Sequence, residues 1–199
     1  MKTFEFRRHS IKDGPTSAMI GPRGYALARA VGEEQLRGRR FTHFFASMYF
    51  RTHQTLVAFA EGAGDFRLKF IPDHAPIYVN SVEIRNMLDV CAKAEKHGED
   101  MVRAALSHDP DLVQRTSVDM VNQFLLWSEN FPDPMNAFVV GHSPSLEFLV
   151  NGLVGTIIPG LKECQGFRIE MTPTTRSLEV DIYAHDLDPS LIRTKLFAE

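Results

Sequence analysis

Hydrophobic and polar positions change period along the 199-residue chain, and the changes mark its elements. Thr3–Phe6 alternates polar and apolar residues and stops abruptly at Arg7-Arg8-His9, the pattern of a strand running into a polar loop. Gly14-Pro15 marks that loop, and Pro22 suits the first turn of a helix. Leu27, Val31 and neighbouring alanines keep helical spacing to about Leu36, where Arg37-Gly38-Arg39-Arg40 sets cations at the helix end. Phe41–Met48 predicts a second strand, Arg51–Ala60 a helix stopped by Glu61-Gly62-Ala63-Gly64, and Arg67–Ile71 a third strand closed by Pro72. From about Val79 to Asn130 the spacing is helical, as two helices broken near His108-Asp109-Pro110. Ala137–Val140 is a fourth strand and the most apolar, and Pro144–Leu153 another helix. Gln165–Met171 and Ser177–Ala184 then read as an antiparallel pair.

Strand–helix alternation with short connections predicts an α/β three-layer sandwich, a mostly parallel central sheet with helices on both faces. The length fits one domain over residues 1–199, with the helical stretch at about 79–130 as an elaboration of it. Composition changes this little: 44% hydrophobic and 24% charged residues are ordinary for a globular protein. A formal charge of −3 argues against a non-specific nucleic-acid binder. Without an 18-residue apolar run or a secretory leader pattern, no membrane association is expected and a cytoplasmic location is the default. Cys91 and Cys164, far apart, predict reduced thiols in the core rather than a disulfide or zinc site. None of the eight histidines forms a His-x-x-x-His pair with an adjacent carboxylate on a helix, so no metal centre is expected.

Three polar clusters follow strand candidates: Arg8-His9-Ser10, the segment from Ser47 to Thr55 containing Arg51, and Gly141-His142-Ser143-Pro144. Strand C-terminal ends of an open parallel sheet share one edge, and ligands bind there, so the clusters are predicted neighbours. Two arginines and two histidines around one point concentrate positive charge and forked donors suited to phosphate oxygens. Fixed donors of that kind stabilise a phosphoryl group in transfer. A histidine between such cations loses its second proton and keeps a ring nitrogen free to attack. Only an acid for the leaving oxygen is missing from this set. Lys93, Glu95, Lys96, Glu99, Asp100 and Arg103 read as a solvated helix face.

A strand followed by Arg-His, then Ser-x-x-x-Arg-x-x-Gln-Thr, then Gly-His, resembles the histidine phosphatase (phosphoglycerate-mutase-like) superfamily. It is most similar to the small single-domain branch that includes the SixA-type phosphohistidine phosphatases. Gly24 and Ala28 fall where that branch has a Gly and a small residue on its first helix. The resemblance implies the phosphoglycerate-mutase-like fold, no cofactor, His9 as the phosphate-accepting nucleophile, and a phosphate clamp of Arg8, Arg51 and His142. It implies a proton donor shortly after the third strand, where this chain has Asp73, with Glu83 and His74 as alternatives. Two positions depart from the family pattern. Ser10 stands in place of a Gly, either donating to phosphate or narrowing the pocket, and Lys12 adds a cation at the pocket mouth.

The implied reaction is metal-independent hydrolysis of a phosphate monoester or phosphoamidate through a phosphohistidine intermediate. The substrate is either a phosphorylated small molecule or a phosphoprotein. A phosphomutase is the rival within the class. A non-catalytic module that binds a phosphorylated ligand in the same cationic pocket is the rival outside it.

Overall fold

In the computed structural model, residues 1–14, 17–65, 73–74, 82–173, 177–184 and 193–198 are described. For residues 73–74, 82–83, 173, 177–184 and 193–198 only the backbone is described. The strands are β1 (Lys2–Arg8), β2 (His43–Ala46), β3 (Asp73–His74), β4 (Met135–Gly141), β5 (Gly166–Pro173), β6 (Ser177–Ala184) and β7 (Arg193–Ala198). The helices are α1 (Pro22–Val31), α2 (Phe50–Ala63), α3 (Val82–Lys96), α4 (Met101–His108), α5 (Pro110–Glu129) and α6 (Ser145–Val154).

The seven strands form one sheet in the order β3-β2-β4-β1-β5-β6-β7. β3, β2, β4 and β1 run parallel, and β5, β6 and β7 add antiparallel neighbours on the far side. Helices cover both faces, and β4 shows why its sequence is almost wholly apolar. Ala137 and Val139 pack with Phe4, Phe124, Trp127 and Leu149 on the α5/α6 side. Phe138 and Val140 pack with Ala28, Leu56 and Phe59 on the α1/α2 side. A central strand buried on both faces has no solvent side to make polar.

The same burial changes the meaning of the alternation in β1. Its polar positions do not face water. Glu5 and Arg7 are buried on the α1/α2 side, where Arg7 Nε donates to Glu5 Oε1 at 2.7 Å and Nη1 donates to Gln35 Oε1 at 2.7 Å.

α1 begins at Pro22 as its sequence predicts, and a wider π-type turn, Gly32–Leu36, extends it. Gly24 is required there, because a Cβ at this position would collide with the Ile11 carbonyl of the loop after β1. α2 runs through Gly62 and stops at Gly64, whose φ of 70° is the left-handed ending that glycine favours.

The 79–130 stretch holds three helices over its described part rather than two. The additional break falls at Gly98, with φ 74°, followed by Asp100, whose Oδ1 caps α4 by accepting from Val102 N at 2.9 Å and Arg103 N at 3.0 Å. The predicted strand Arg67–Ile71 lies outside the described residues. The described third strand is Asp73–His74, so Asp73 stands in the strand rather than after it. β7 was not marked by the sequence pattern. Both cysteines are free and buried. Among the described residues no helix is long and apolar enough to cross a membrane.

Candidate active site

β1, β2 and β4 end level with one another: Arg8 is opposite Gly141, and Ala46 is opposite Val140. The loops that leave them are tied together by backbone bonds, His9 N to Gly141 O at 3.0 Å and Ser47 N to Val140 O at 3.1 Å. The three clusters therefore meet, as the sheet-edge argument predicts. They line a cavity of about 390 Å³ that holds Arg8, His9, Lys12, Arg51 and His142 together. α3 and α4 supply its other wall with Leu88, Ala92, Glu95 and Met101.

His9 is buried at the end of β1, and its tautomer is fixed. Nδ1 lies 2.7 Å from the Ser10 carbonyl, which accepts only, so Nδ1 carries the hydrogen and Nε2 keeps its lone pair. Burial, reinforced by Arg8, Arg51 and Lys12 against the pull of the Ser10 carbonyl, lowers its pKa from 6.5 to about 3. The ring is neutral and nucleophilic at ordinary pH.

His142 stands beside it with ring centroids 5.1 Å apart. Burial, then His9 and the two arginines, hold its pKa well below the usual range. Arg51 Nη2 approaches His142 Nδ1 at 3.4 Å, which leaves Nε2 to donate to Ser47 Oγ at 2.6 Å. Arg51 also lies over the Tyr49 ring, 4.6 Å from its centroid, and burial lowers its pKa.

The guanidiniums are incompletely satisfied. Arg8 Nη1 donates to the Leu161 carbonyl at 2.5 Å and Nη2 contacts Glu95 Oε1, yet Arg8 Nε has no hydrogen-bond partner. Arg51 Nε is likewise buried and unpaired. A buried donor left unpaired is costly, and here two such donors belong to residues lining one cavity. The guanidinium-bearing side chains that line the cavity match an anion with several oxygens in charge and in donor geometry.

Two expectations need adjustment. Ser10 is fully buried, and its hydroxyl donates to the Gly24 carbonyl of α1 at 2.7 Å while its amide donates to Thr55 Oγ1 at 3.0 Å. It is absent from the cavity lining, so it braces the loop instead of meeting a phosphate. Glu95 leaves the solvated face assigned to it: its carboxylate touches Arg8 and lies 3.7 Å from Lys12 Nζ. Leu88, Cys91 or Ala92, and Glu95 recur at i, i+3/i+4 and i+7, a spacing that places them on one face of α3. Of the acid candidates, Asp73 and His74 lie opposite Phe45 and Ala46 at the sheet edge. Their side chains, and that of Glu83, lie outside the described residues. Lys12 lines the cavity as expected. Among the described residues no group of three or more His, Cys, Asp or Glu side chains is placed to hold a metal ion.

The fold is phosphoglycerate-mutase-like, and solved structures match it over nearly the whole chain. Phosphoglycerate mutase from Bacillus anthracis superposes with a TM-score of 0.56 at 14% identity, covering 99% of this chain and 92% of that one. A mycobacterial glucosyl-3-phosphoglycerate phosphatase complexed with VO3 gives 0.52 at 13% identity, covering 100% and 98%. The protein histidine phosphatase SixA, complexed with tungstate, gives 0.50 at 14% identity, covering 98% and 96%. At these identities the likeness is one of fold. No protein-family model matches the chain, and no curated protein matches it in sequence.

Proposed function

We propose that the protein is a phosphatase that hydrolyses a phosphate monoester or phosphoamidate through a phosphohistidine on His9. The observation that carries this is the conjunction in one cavity of an unprotonated His9 Nε2 with the cations Arg8, Arg51 and Lys12. Phosphatases and a mutase among the fold neighbours are consistent with it.

In the first step Nε2 attacks phosphorus, the bond from phosphorus to the leaving oxygen or nitrogen breaks, and the leaving atom takes a proton. In the second, water attacks phosphorus and gives its proton to the carboxylate that protonated the leaving atom, the P–N bond to His9 breaks, and inorganic phosphate leaves. Arg8 and Arg51 neutralise the charge on the non-bridging oxygens, which is the main catalytic task in phosphoryl transfer. The positive field comes from protein side chains, so the proposed mechanism calls for no metal. Asp73 is the proposed proton donor, on the strength of its place at the sheet edge beside β2. Walls from α3 and α4 favour a phosphorylated small molecule over a phosphoprotein, because they enclose the cations that a protein-borne phosphate would have to reach.

Hydrolysis of para-nitrophenyl phosphate in EDTA tests the proposal, with His9→Ala alongside. Turnover by the wild type and none by the variant is expected. Equal turnover by both would remove His9 from the mechanism. A protein that binds phosphate but turns over neither this ester nor a phosphoamidate would be the binding module instead.

A further inference from the structure

A buried carboxyl group outside the cavity lining is linked to Arg8 through a single backbone residue. Glu147, in the first turn of α6, is buried, and its Oε1 accepts from the Leu161 amide at 2.6 Å. The other end of that residue, the Leu161 carbonyl, accepts from Arg8 Nη1 at 2.5 Å and from Ser143 Oγ at 3.5 Å. Ser143 follows His142 directly, and α6 begins two residues further on. One carboxyl thus fixes a backbone segment whose carbonyl holds both an arginine of the clamp and the loop carrying the second histidine.

We infer that Glu147 is a positioning residue for the anion clamp, setting the Arg8 guanidinium through the Leu161 backbone. The inference rests on the reading of the cavity as an anion site, not on turnover.

The alternatives for Arg8 show why the tether matters. An arginine has several rotatable bonds, and a guanidinium free to choose would fold fully onto Glu95, which it already contacts, or onto Glu163 Oε1, 3.8 Å away. A buried carbonyl that accepts from Nη1 keeps one edge of the guanidinium occupied and holds the fork in place. That carbonyl is well placed only if its own residue is anchored. A buried carboxyl of this kind costs desolvation, and burial pushes Glu147 up to about 7 against the opposing pull of the Ser143 hydroxyl, the Leu161 amide and Arg8. Its Oε2 accepts no well-formed hydrogen bond. For anchoring the Leu161 amide alone, a glutamine oxygen would serve equally well.

Protonation supplies a second readout. Oε1 accepts from Leu161 whether or not the carboxyl is ionised, so the tether persists through titration. The ionised form adds negative charge behind Arg8, and a bound dianion opposes that charge. Anion affinity in the wild type therefore falls as pH rises through Glu147 ionisation. The charged and titratable groups facing the carboxyl are Arg8 from β1 and Cys91 from α3, and burial raises the Cys91 thiol to about 11. His9 and His142 stay neutral across this range and add no step of their own.

The test is calorimetric titration with tungstate at pH 6.5 to 8.5 of the wild type, Glu147→Gln, Glu147→Leu and Asn151→Ala. Asn151 lies one turn further along α6 and bonds Ser117 Oγ at 3.0 Å, away from Arg8, so it controls for general loosening of the helix. Glu147→Leu is expected to bind tungstate about tenfold more weakly or worse. Glu147→Gln should keep wild-type affinity at the acid end and lose the fall near neutrality. Asn151→Ala should melt earlier with unchanged affinity. Wild-type affinity in Glu147→Leu overturns the inference. Should that variant fail to fold, persistence of the pH step in Glu147→Gln, or a large loss of affinity in it, overturns the inference instead. A wild type that binds no tungstate defeats the anion-site reading itself, an outcome distinct from the other two.

Discussion

Burial and the flanking guanidiniums deny His9 a second proton, while the Ser10 carbonyl keeps the first one on Nδ1. A base whose pKa is lowered from 6.5 to about 3 keeps its lone pair at every pH above that value. The kcat/KM profile, corrected for substrate ionisation, should show no acid limb near 6.5; such a limb would mean that His9 titrates normally. Glu95 acts in the opposite sense on the same site, as an anion already resting on Arg8 and Lys12. Glu95→Gln keeps its size and removes its charge, so phosphate should bind about threefold to tenfold more tightly in competition assays, a modest gain because Glu95 is 32% exposed. Unchanged or weaker binding would show that Glu95 does not compete for the seat. Sequence reasoning found His9 and its cations because Arg-His and Gly-His each sit directly after a strand. It missed Glu95 because that residue is adjacent in sequence to Lys96, and only the docking of α3 turns it inward.

At the scale of elements, β4 was legible because burial on both faces demands an unbroken apolar run. The Glu5 and Arg7 positions of β1 were not, since alternation reads the same whether its polar face meets water or a buried ion pair. The short β3 and late β7 carry too little pattern to announce themselves. α1 and α2 approach each other through two glycines. A Cβ on Gly62 would overlap the Arg29 carbonyl, and one on Gly32 the Phe59 carbonyl. Gly62→Ala must therefore push the helices apart and should lower stability by about 1–3 kcal/mol in urea unfolding. A shift below a few tenths of that would mean the helices have slack the packing does not show.

Across the whole molecule, the net charge of −3 conceals two internal concentrations of charge, one at the C-terminal ends of the parallel strands and one on the α1/α2 face of β1. One is the cationic cavity. The other is the buried Glu5–Arg7 pair, each side chain 1% exposed, with Arg39 Nη1 at 3.3 Å from Glu5 Oε2. Removing one partner of a buried pair takes away its nearest counter-charge, so Arg7→Leu should lower stability by about 3 kcal/mol. A smaller loss would mean that the remaining partners of Glu5, Arg39 among them, balance its charge. The cavity is where fold becomes function, since three strand ends, two helices and one buried histidine converge there. The proposed mechanism turns on a covalent bond between phosphorus and His9 Nε2. The most direct measurement is mass spectrometry of protein quenched in base during turnover of para-nitrophenyl phosphate. An acid-labile phosphoryl group on the peptide containing His9, absent in His9→Ala, is the predicted result. Turnover without that adduct, or an adduct that survives in His9→Ala, would contradict it.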